Sequence, residues 1–165
     1  MLDENVQNLI DRAAISDLVY AYANGLDRHD WQLYRSIFTD QIEMDFRSVG
    51  MKVGFFHADD WVRDAQNLFI GFKATQHTST NHVHTIEGDR ATCVSNMQAE
   101  HFVVLPDTKP EQIDSWTIGG YYVNELVRTA NGWKIDKITL KVTWQRGNNQ
   151  VSKLAYRRGK KIRGV

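Results

Sequence analysis

The sequence lacks a second cysteine and any long apolar run. Its only cysteine, Cys93, cannot form a disulfide within the chain, which agrees with a reducing compartment. No stretch approaches the roughly 20 consecutive apolar residues that cross a bilayer, and the N-terminal segment is acidic and has no apolar core. These absences predict a cytoplasmic protein that has no membrane partner.

The sequence also lacks an excess of charge of either sign. Twenty basic and twenty acidic side chains give a formal net charge of zero, so no net field attracts nucleic acid or anionic lipid. Positive charge is concentrated in residues 156–163, which carry five positive charges in eight residues. We therefore expect one domain at residues 1–150 and a basic tail at 151–165 that is solvated or bridges subunits, with a nucleic-acid arm as the weaker alternative.

What is present is the composition and patterning of one globular domain. The 165 residues are 42% hydrophobic and 24% charged, enough for a single buried core. Helical spacing of apolar residues comes first, and long β-branched and aromatic segments follow, which predicts an α+β fold. The predicted helices are 11–26, 31–38 and 59–69; the predicted strands are 41–46, 75–87, 90–104, 112–129 and 133–144, with tight turns at 87–90 and 130–132 and a looser turn at 106–110.

Three side chains near helix ends refine this prediction. Asp11 is placed to cap the first helix, Gly25 to end it, and Asp30 to cap the second helix. Residues 47–58 are expected to form a loop that contains Gly50 and Gly54.

Asp27 and His77 are the first candidates for chemistry. Asp27 follows the first predicted helix, where the helix dipole disfavours a carboxylate; a cap or turn role is the common use of Asp there. His77 lies in a predicted strand, with Thr75 and Asn81 on the same face by the period of two. A neutral histidine beside a carboxylate makes a general base, whereas a core histidine bonded to a backbone carbonyl is the plainer alternative. The sequence leaves both open.

The position of the other histidines depends on strand register. The simplest hairpin at Gly88-Asp89 places Glu100 opposite His77 and His101 on the other face, and a β-bulge would reunite the two histidines. His82 and His84 have a spacing that can supply two metal ligands, but they alternate out of phase with His77 and lack an evident partner. We expect them to have a polar outer or subunit-facing role, and we expect no metal site.

Two further features have structural interpretations. Cys93 lies in an apolar-rich segment and is expected to be a buried, inert thiol. Gly119-Gly120 falls inside a predicted strand, where paired glycines permit a bend or bulge.

Several short motifs resemble the SnoaL-like branch of the nuclear-transport-factor-2-like superfamily. They are Asp-Arg-His-Asp-Trp at 27–31, Thr-Gln-His at 75–77 and Glu-Gly-Asp-Arg-Ala at 87–91. Within that branch, Met-Asp-Phe-Arg-Ser at 44–48 and the histidine of Glu100-His101 are similar to scytalone dehydratase-type lyases. The resemblance implies a cone-shaped, curved antiparallel sheet and N-terminal helices enclosing an apolar pocket. It also implies a catalytic dyad of Asp27 and His77, with His101 across the pocket.

The implied function is that of a cofactor-independent lyase. In the family, the histidine removes a proton α to a carbonyl, and the substrate expected here is a small cyclic or aromatic hydroxy-ketone. The carbonyl-polarising tyrosines of scytalone dehydratases match Leu26 and Phe46, and a neighbouring serine and asparagine are replaced by Gly120 and Tyr122. The expected substrate contacts are Tyr22, Tyr34, Phe46, Asn81 and Tyr122, with one of the three tyrosines as substitute donor.

Two other functions remain open at this point. One is an isomerase that uses the same base, and the other is a non-catalytic ligand-binding or structural subunit, similar to the small subunit of ring-hydroxylating dioxygenases. Because this architecture leaves one sheet face without helices, we also expect a homodimer or homotrimer.

Overall fold

A computed structural model describes residues 3–106 and 112–165. The elements are α1 (Glu4–Asp27), α2 (Trp31–Ser36), β1 (Phe38–Asp45), a 3₁₀ turn (Arg47–Val49), β2 (Val53–His57), α3 (Ala58–Phe69), β3 (Ala74–Glu87), β4 (Arg90–Val104), β5 (Ile113–Thr129), β6 (Gly132–Gly147) and α4 (Gln150–Arg163). Strand β2 was expected to be loop. Most of the looser turn predicted at 106–110 lies outside the described residues, which omit 107–111.

The six strands form one curved, unclosed sheet in the order β2-β1-β6-β5-β4-β3. The predicted α+β class and the N-terminal helices are confirmed. Strands β3 to β6 form the predicted antiparallel meander. The sheet is not purely antiparallel, however, because β1 runs parallel to β6. These two strands are separated in the chain by α3 and the β3–β5 meander, so no hairpin constrains their relative direction.

Helix α1 begins earlier than predicted. The Asp3 side chain caps it by accepting a hydrogen bond from the Asn5 N–H at 2.8 Å. Asp11 is therefore an interior residue of the helix, and the expectation that it caps α1 is wrong. It is buried because its carboxylate accepts hydrogen bonds from the Arg128 guanidinium at 2.7 and 2.8 Å and from Trp133 Nε1 at 2.9 Å.

The corner between α1 and α2 depends on Gly25 and Asp30. Gly25 does not end α1, which continues to Asp27; it allows α2 to pack closely, since a Cβ there would lie 2.8 Å from the Tyr34 Cβ. The predicted cap at Asp30 is confirmed, because its side chain accepts a hydrogen bond from the Leu33 N–H at 2.9 Å. The tight corner leaves Asp27 facing the sheet.

A β-bulge in β3 decides which side chains share a face. Next to the turn, Glu87 pairs with Arg90, as the simplest hairpin predicts, but the register shifts between Thr80 and Val83. Beyond the shift His77 pairs with Ala99, so the expectation that Glu100 faces His77 is wrong. Asn81 lies in the bulge with a φ of 55°. The extra residue reverses the alternation of the strand, which is the physical effect of any single-residue bulge.

The basic C-terminal segment is a packed helix, which corrects the expectation of a solvated tail. Val151, Ala155 and Gly159 recur every four residues and form the buried side of α4. Gly159 lets α4 approach α3 closely, since a Cβ there would lie 1.9 Å from the Asn67 carbonyl oxygen. The positive charges occupy the remaining face of this amphipathic helix. None of the helices in the described residues is long and apolar enough to span a membrane.

Candidate active site

Asp27 and His77 lie in direct contact where the end of α1 crosses β3. Asp27 Oδ1 is 2.6 Å from His77 Nδ1, and Oδ2 accepts a hydrogen bond from the His77 backbone N–H at 2.7 Å. The Thr75 hydroxyl donates to Oδ1 at 2.8 Å. The two side chains are only 19% and 8% exposed, so water competes little for these contacts. The structure thus brings together the pair that the sequence suggested.

The hydrogen bonds determine the protonation of the pair. Burial is the largest influence and raises the pKa of Asp27. The hydrogen bonds from His77, its electrostatic attraction and the hydrogen bond from Thr75 together outweigh burial and keep that pKa below its ordinary value. An ionised carboxylate only accepts, so His77 Nδ1 carries the proton and Nε2 has a free lone pair. His77 can therefore act as a base through Nε2.

His101 faces the same space as His77. Thr75 pairs with His101 across β3 and β4, and the ring centroids of the two histidines are 5.5 Å apart at 86°. His101 Nδ1 lies 3.1 Å from the Trp116 carbonyl oxygen, which can only accept, so Nδ1 carries the proton. Burial first and the nearby His77 second lower the pKa of His101 to about 4. At neutral pH it is a neutral hydrogen-bond acceptor through Nε2.

A cavity of about 480 Å³ opens at the two histidines. Apolar and aromatic side chains form most of its wall, and the ion pair of Lys52 and Asp64 also contributes to it. The lining residues are Tyr22, Tyr34, Phe46, Val49, Gly50, Met51, Lys52, Trp61, Asp64, Ala65, Leu68, Phe69, Phe72, His77, His101, Trp116, Ile118, Tyr122, Leu140, Ser152 and Tyr156. This volume suits a small ring compound.

Four of the five expected substrate contacts line the cavity. Tyr22, Tyr34 and Tyr122 are buried, and burial raises the pKa of each phenol above its ordinary value, so all three stay protonated at neutral pH. Phe46 is also in the wall, whereas Leu26 is buried but does not line the cavity. The tyrosine hydroxyls are therefore the candidate donors to a substrate carbonyl.

Asn81 does not belong to the site. It is exposed, lies in the bulge and is not among the residues that line the cavity. The expectation that it contacts substrate rested on uninterrupted alternation from His77, and the bulge breaks that alternation. Asn tolerates positive φ better than most residues, so its role here is structural.

The sequence reasoning missed the aromatic surroundings of the histidines. The Phe72 and Trp116 rings lie 5.1 and 5.4 Å from the His101 ring, and the Phe69 ring lies 5.6 Å from His77. Phe69 is the last residue of α3 and Phe72 lies three residues later, and neither position carries a motif. Trp116 had one usable signal: it is the residue that pairs with His101 once the β4–β5 register is known.

The bulge also corrects the expectation for His82 and His84. Both face α1 rather than the outside, because each places a ring nitrogen within 3.0 Å of the Ser16 hydroxyl. Cys93 is fully buried beside them, as expected for an inert thiol, and burial raises its thiol pKa to about 11. Among the described residues, these three side chains form the group that could hold a metal ion.

Comparisons with known proteins agree with this geometry. The model of the SnoaL-like domain family matches residues 7–139. Terrestric acid biosynthesis cluster protein E of Penicillium crustosum is 30% identical over 143 residues, covering 85% of this chain and 88% of that protein. The crystal structure of the Kfla4162 protein from Kribbella flavida superposes with a TM-score of 0.80 at 35% identity, covering 88% of this chain and 99% of that chain.

More distant structural neighbours share the fold. The hexachlorocyclohexane dehydrochlorinase LinA-type3 from Novosphingobium barchaimii superposes with a TM-score of 0.71 at 20% identity, covering 88% of this chain and 94% of that chain. Scytalone dehydratase-like proteins are also among these neighbours. With the family model matching most of its length, the chain belongs to the SnoaL-like domain family of the nuclear-transport-factor-2-like superfamily.

Proposed function

We propose that this protein is a cofactor-independent lyase, a dehydratase that acts on a small cyclic or aromatic hydroxy-ketone. The observation that carries the proposal is the Asp27–His77 pair, whose free Nε2 opens onto an aromatic-walled cavity of about 480 Å³. Buried acid-base pairs that face a cavity are candidates for catalysis.

The reaction begins with proton transfer to His77. Its Nε2 takes the proton from the carbon α to the substrate carbonyl, and the electron pair of that C–H bond is held as an enolate with its charge on the carbonyl oxygen. The pair forms the new C=C bond as the C–O bond to the hydroxyl breaks. Asp27 keeps the ring in the reactive tautomer and stabilises the imidazolium that forms. The hydroxyl on the neighbouring carbon then leaves and takes the proton from His77 Nε2, so one water is released and the enzyme is restored.

His101 has a different role from His77. With a pKa of about 4 it carries no spare proton at neutral pH, so it does not protonate the leaving hydroxyl. Its Nε2 lone pair instead accepts a hydrogen bond from a substrate hydroxyl and directs that group towards His77. A substrate with a hydroxyl near its acidic C–H bond satisfies both histidines.

The carbonyl oxygen needs a hydrogen-bond donor as negative charge develops on it. The indole N–H groups of Trp61 and Trp116 are already donated, to the Tyr34 hydroxyl at 3.0 Å and to Gln145 Oε1 at 3.1 Å. Tyr22, Tyr34 and Tyr122 line the same cavity as His77, stay protonated and hydrogen-bond to one another. A hydroxyl can rotate, so we assign the donor to this tyrosine cluster, in which one hydroxyl turns from its tyrosine partner to the substrate carbonyl.

The similar proteins support a small-molecule substrate. The Penicillium crustosum relative is named for a terrestric acid biosynthesis cluster, which favours a role in the chemistry of a small biosynthetic molecule. LinA-type3 is named a dehydrochlorinase, another elimination, but at its identity the likeness concerns the fold, so the reaction type rests on the dyad.

The alternatives differ in what they require of the site. A purely structural subunit does not need a cavity with two histidine lone pairs, so the geometry favours an enzyme. An isomerase needs the same base but returns the proton to another carbon and releases no water. Product analysis separates the two reactions.

The test is a screen of the purified protein against cyclic and aromatic hydroxy-ketones, with loss of water followed by mass spectrometry. We expect turnover by the wild type and a loss of about 10²- to 10⁴-fold in the His77→Ala variant. His57 is exposed and lies outside the cavity, so His57→Ala serves as the matched control and should keep full activity. Equal rates in the His77→Ala and wild-type proteins would exclude this mechanism.

A further inference from the structure

A second cluster of chemically active side chains lies on the hairpin-turn side of the bulge. His82 and His84 on β3 and Cys93 on β4 each place one ligand atom within 4.8 Å of the others. His84 is paired directly with Cys93 across the two strands, so their side chains share a face. None of the three lines the cavity that contains His77 and His101. The cluster is therefore separate from the candidate active site.

Two polar atoms at this place are buried without a hydrogen-bond partner. Among the described residues, His84 Nδ1 and Ser95 Oγ are two such side-chain atoms. Ser95 follows Cys93 by two residues along the same face of β4. Leaving a buried polar atom unpaired costs about 1–3 kcal/mol, so the unpartnered His84 Nδ1 is a candidate ligand atom.

The Ser16 hydroxyl orients the two imidazole rings. Its Oγ lies 3.0 Å from His82 Nδ1 and 2.9 Å from His84 Nε2. His82 Nε2 is in turn 3.0 Å from the Ser79 hydroxyl. Such hydrogen bonds around ligating histidines are the usual means of fixing their orientation.

The ligand set favours a soft metal ion. His84 Nδ1 has no hydrogen-bond partner among the described residues, and His82 can offer a ring nitrogen once the Ser16 or Ser79 hydroxyl turns away from it. No carboxylate in the described part of the chain joins the cluster. Hard cations such as Mg²⁺ and Ca²⁺ prefer oxygen ligands, whereas two imidazoles and a thiol suit a softer ion.

We propose that His82, His84 and Cys93 bind one Zn²⁺ ion. Zinc takes nitrogen at about 2.0–2.1 Å and sulfur at about 2.3 Å, so the ligand atoms must approach to about 3.5 Å, a movement of roughly 1 Å by the side chains. Binding converts the Cys93 thiol to a thiolate and releases its proton to solvent. The fourth position is taken by water.

The place of the site gives the ion a structural role. It joins β3 to β4 on the hairpin-turn side of the bulge, and Ser16 connects it to α1. The same bulge brings His101 to the side of His77. A zinc ion here would therefore stabilise the register on which the candidate active site depends.

The experiment uses the full chain, freed of metal with a chelator and titrated with Zn²⁺ or Co²⁺ alone. We expect one equivalent of Co²⁺ to bind and to show a thiolate-to-cobalt charge-transfer band. We also expect Zn²⁺, at about one hundred times its dissociation constant, to raise the melting temperature by about 5 to 10 °C. Cys93→Ala should abolish the band, and both Cys93→Ala and His84→Gln should abolish most of the zinc-dependent stabilisation.

Cys93 is fully buried, so its replacement risks unfolding the protein. His84 is half-buried and gives the second, safer variant. The matched control is His57→Gln, an exposed histidine outside the cluster that should bind zinc as the wild type does. Absence of the thiolate band would overturn the proposal. Zinc binding that persists in His84→Gln but is lost in His101→Phe would also overturn it, since that result places the ion on the candidate catalytic histidines.

Discussion

Replacing Asp27 with asparagine tests the candidate dyad with almost no change in size. The carboxylate accepts three hydrogen bonds, from the Thr75 hydroxyl, the His77 side chain and the His77 backbone N–H. An asparagine has only one accepting oxygen, so its NH₂ group must face at least one of these donors. If the NH₂ group faces His77 Nδ1, the ring proton moves to Nε2 and the base is lost. If it faces the backbone N–H instead, two donors oppose each other.

Both arrangements have a measurable cost. Loss of a correctly held general base lowers the rate by about 10²- to 10⁴-fold. One donor left unsatisfied in this largely buried place costs about 1–3 kcal/mol, which for a domain of this size lowers the melting temperature by roughly 5 °C. The arrangement in which the NH₂ group faces His77 Nδ1 avoids opposed donors and is therefore favoured, so we expect Asp27→Asn to remain folded and to lose most of its activity.

The assay combines the rate of water elimination with nitrogen NMR of His77, which reports which ring nitrogen carries the proton. Asp30→Asn is the matched control, because Asp30 caps α2 and asparagine caps a helix equally well. The reasoning is refuted if Asp27→Asn keeps the wild-type rate, or if it is inactive although Nε2 of His77 remains unprotonated and the protein remains folded.

Three further predictions concern stability. The pKa of His101 is lowered to about 4, so between pH 6.5 and 4 the unfolded chain binds a proton that the folded chain does not. The free energy of unfolding should therefore fall by about 3 kcal/mol as the pH falls through this range, and urea titrations should show that His101→Phe lacks this loss. The Arg128 hydrogen bonds, first among several influences, lower the pKa of Asp11 to about 2. The ionised carboxylate should therefore add about 2 kcal/mol to the free energy of unfolding above pH 3.8 and lose this contribution as the pH falls towards 2. Calorimetry should show that Asp11→Asn is destabilising at pH 7 and nearly neutral at pH 2. A Cβ on Gly120 would lie 1.9 Å from the Lys141 carbonyl oxygen, so Gly120→Ala should destabilise by about 1–3 kcal/mol or more in denaturant unfolding, and an unchanged midpoint would contradict this packing.

Most of the secondary structure was predictable because its signals are local. The spacing of apolar residues, the Asp30 cap and the turn at Gly88 each act over a few residues, and the corresponding elements are present. The paired glycines at 119–120 were also interpreted correctly, since the β5–β6 register shifts between them. The cytoplasmic location and the homodimer or homotrimer stay predictions.

The predictions that failed depended on distant partners. Asp11 has the sequence features of a helix cap, but its actual partners, Arg128 and Trp133, lie more than one hundred residues away. The basic C-terminal segment has the composition of a tail, yet small residues on one side let it pack against α3. In both cases a contact far along the chain outweighed a weak local preference.

The sequence by itself determined that Asp27 stands at the end of a helix and that His77 lies in a strand, since both follow from periodicity and turn chemistry. Only the tertiary structure decided that the two side chains meet and that His101 joins them. A single extra residue at Asn81 shifts the β3–β4 register, and this shift reassigns every side chain beyond it to the other face. Such a bulge depends on how β3 pairs with β4, so its local signal is limited to an asparagine that tolerates positive φ.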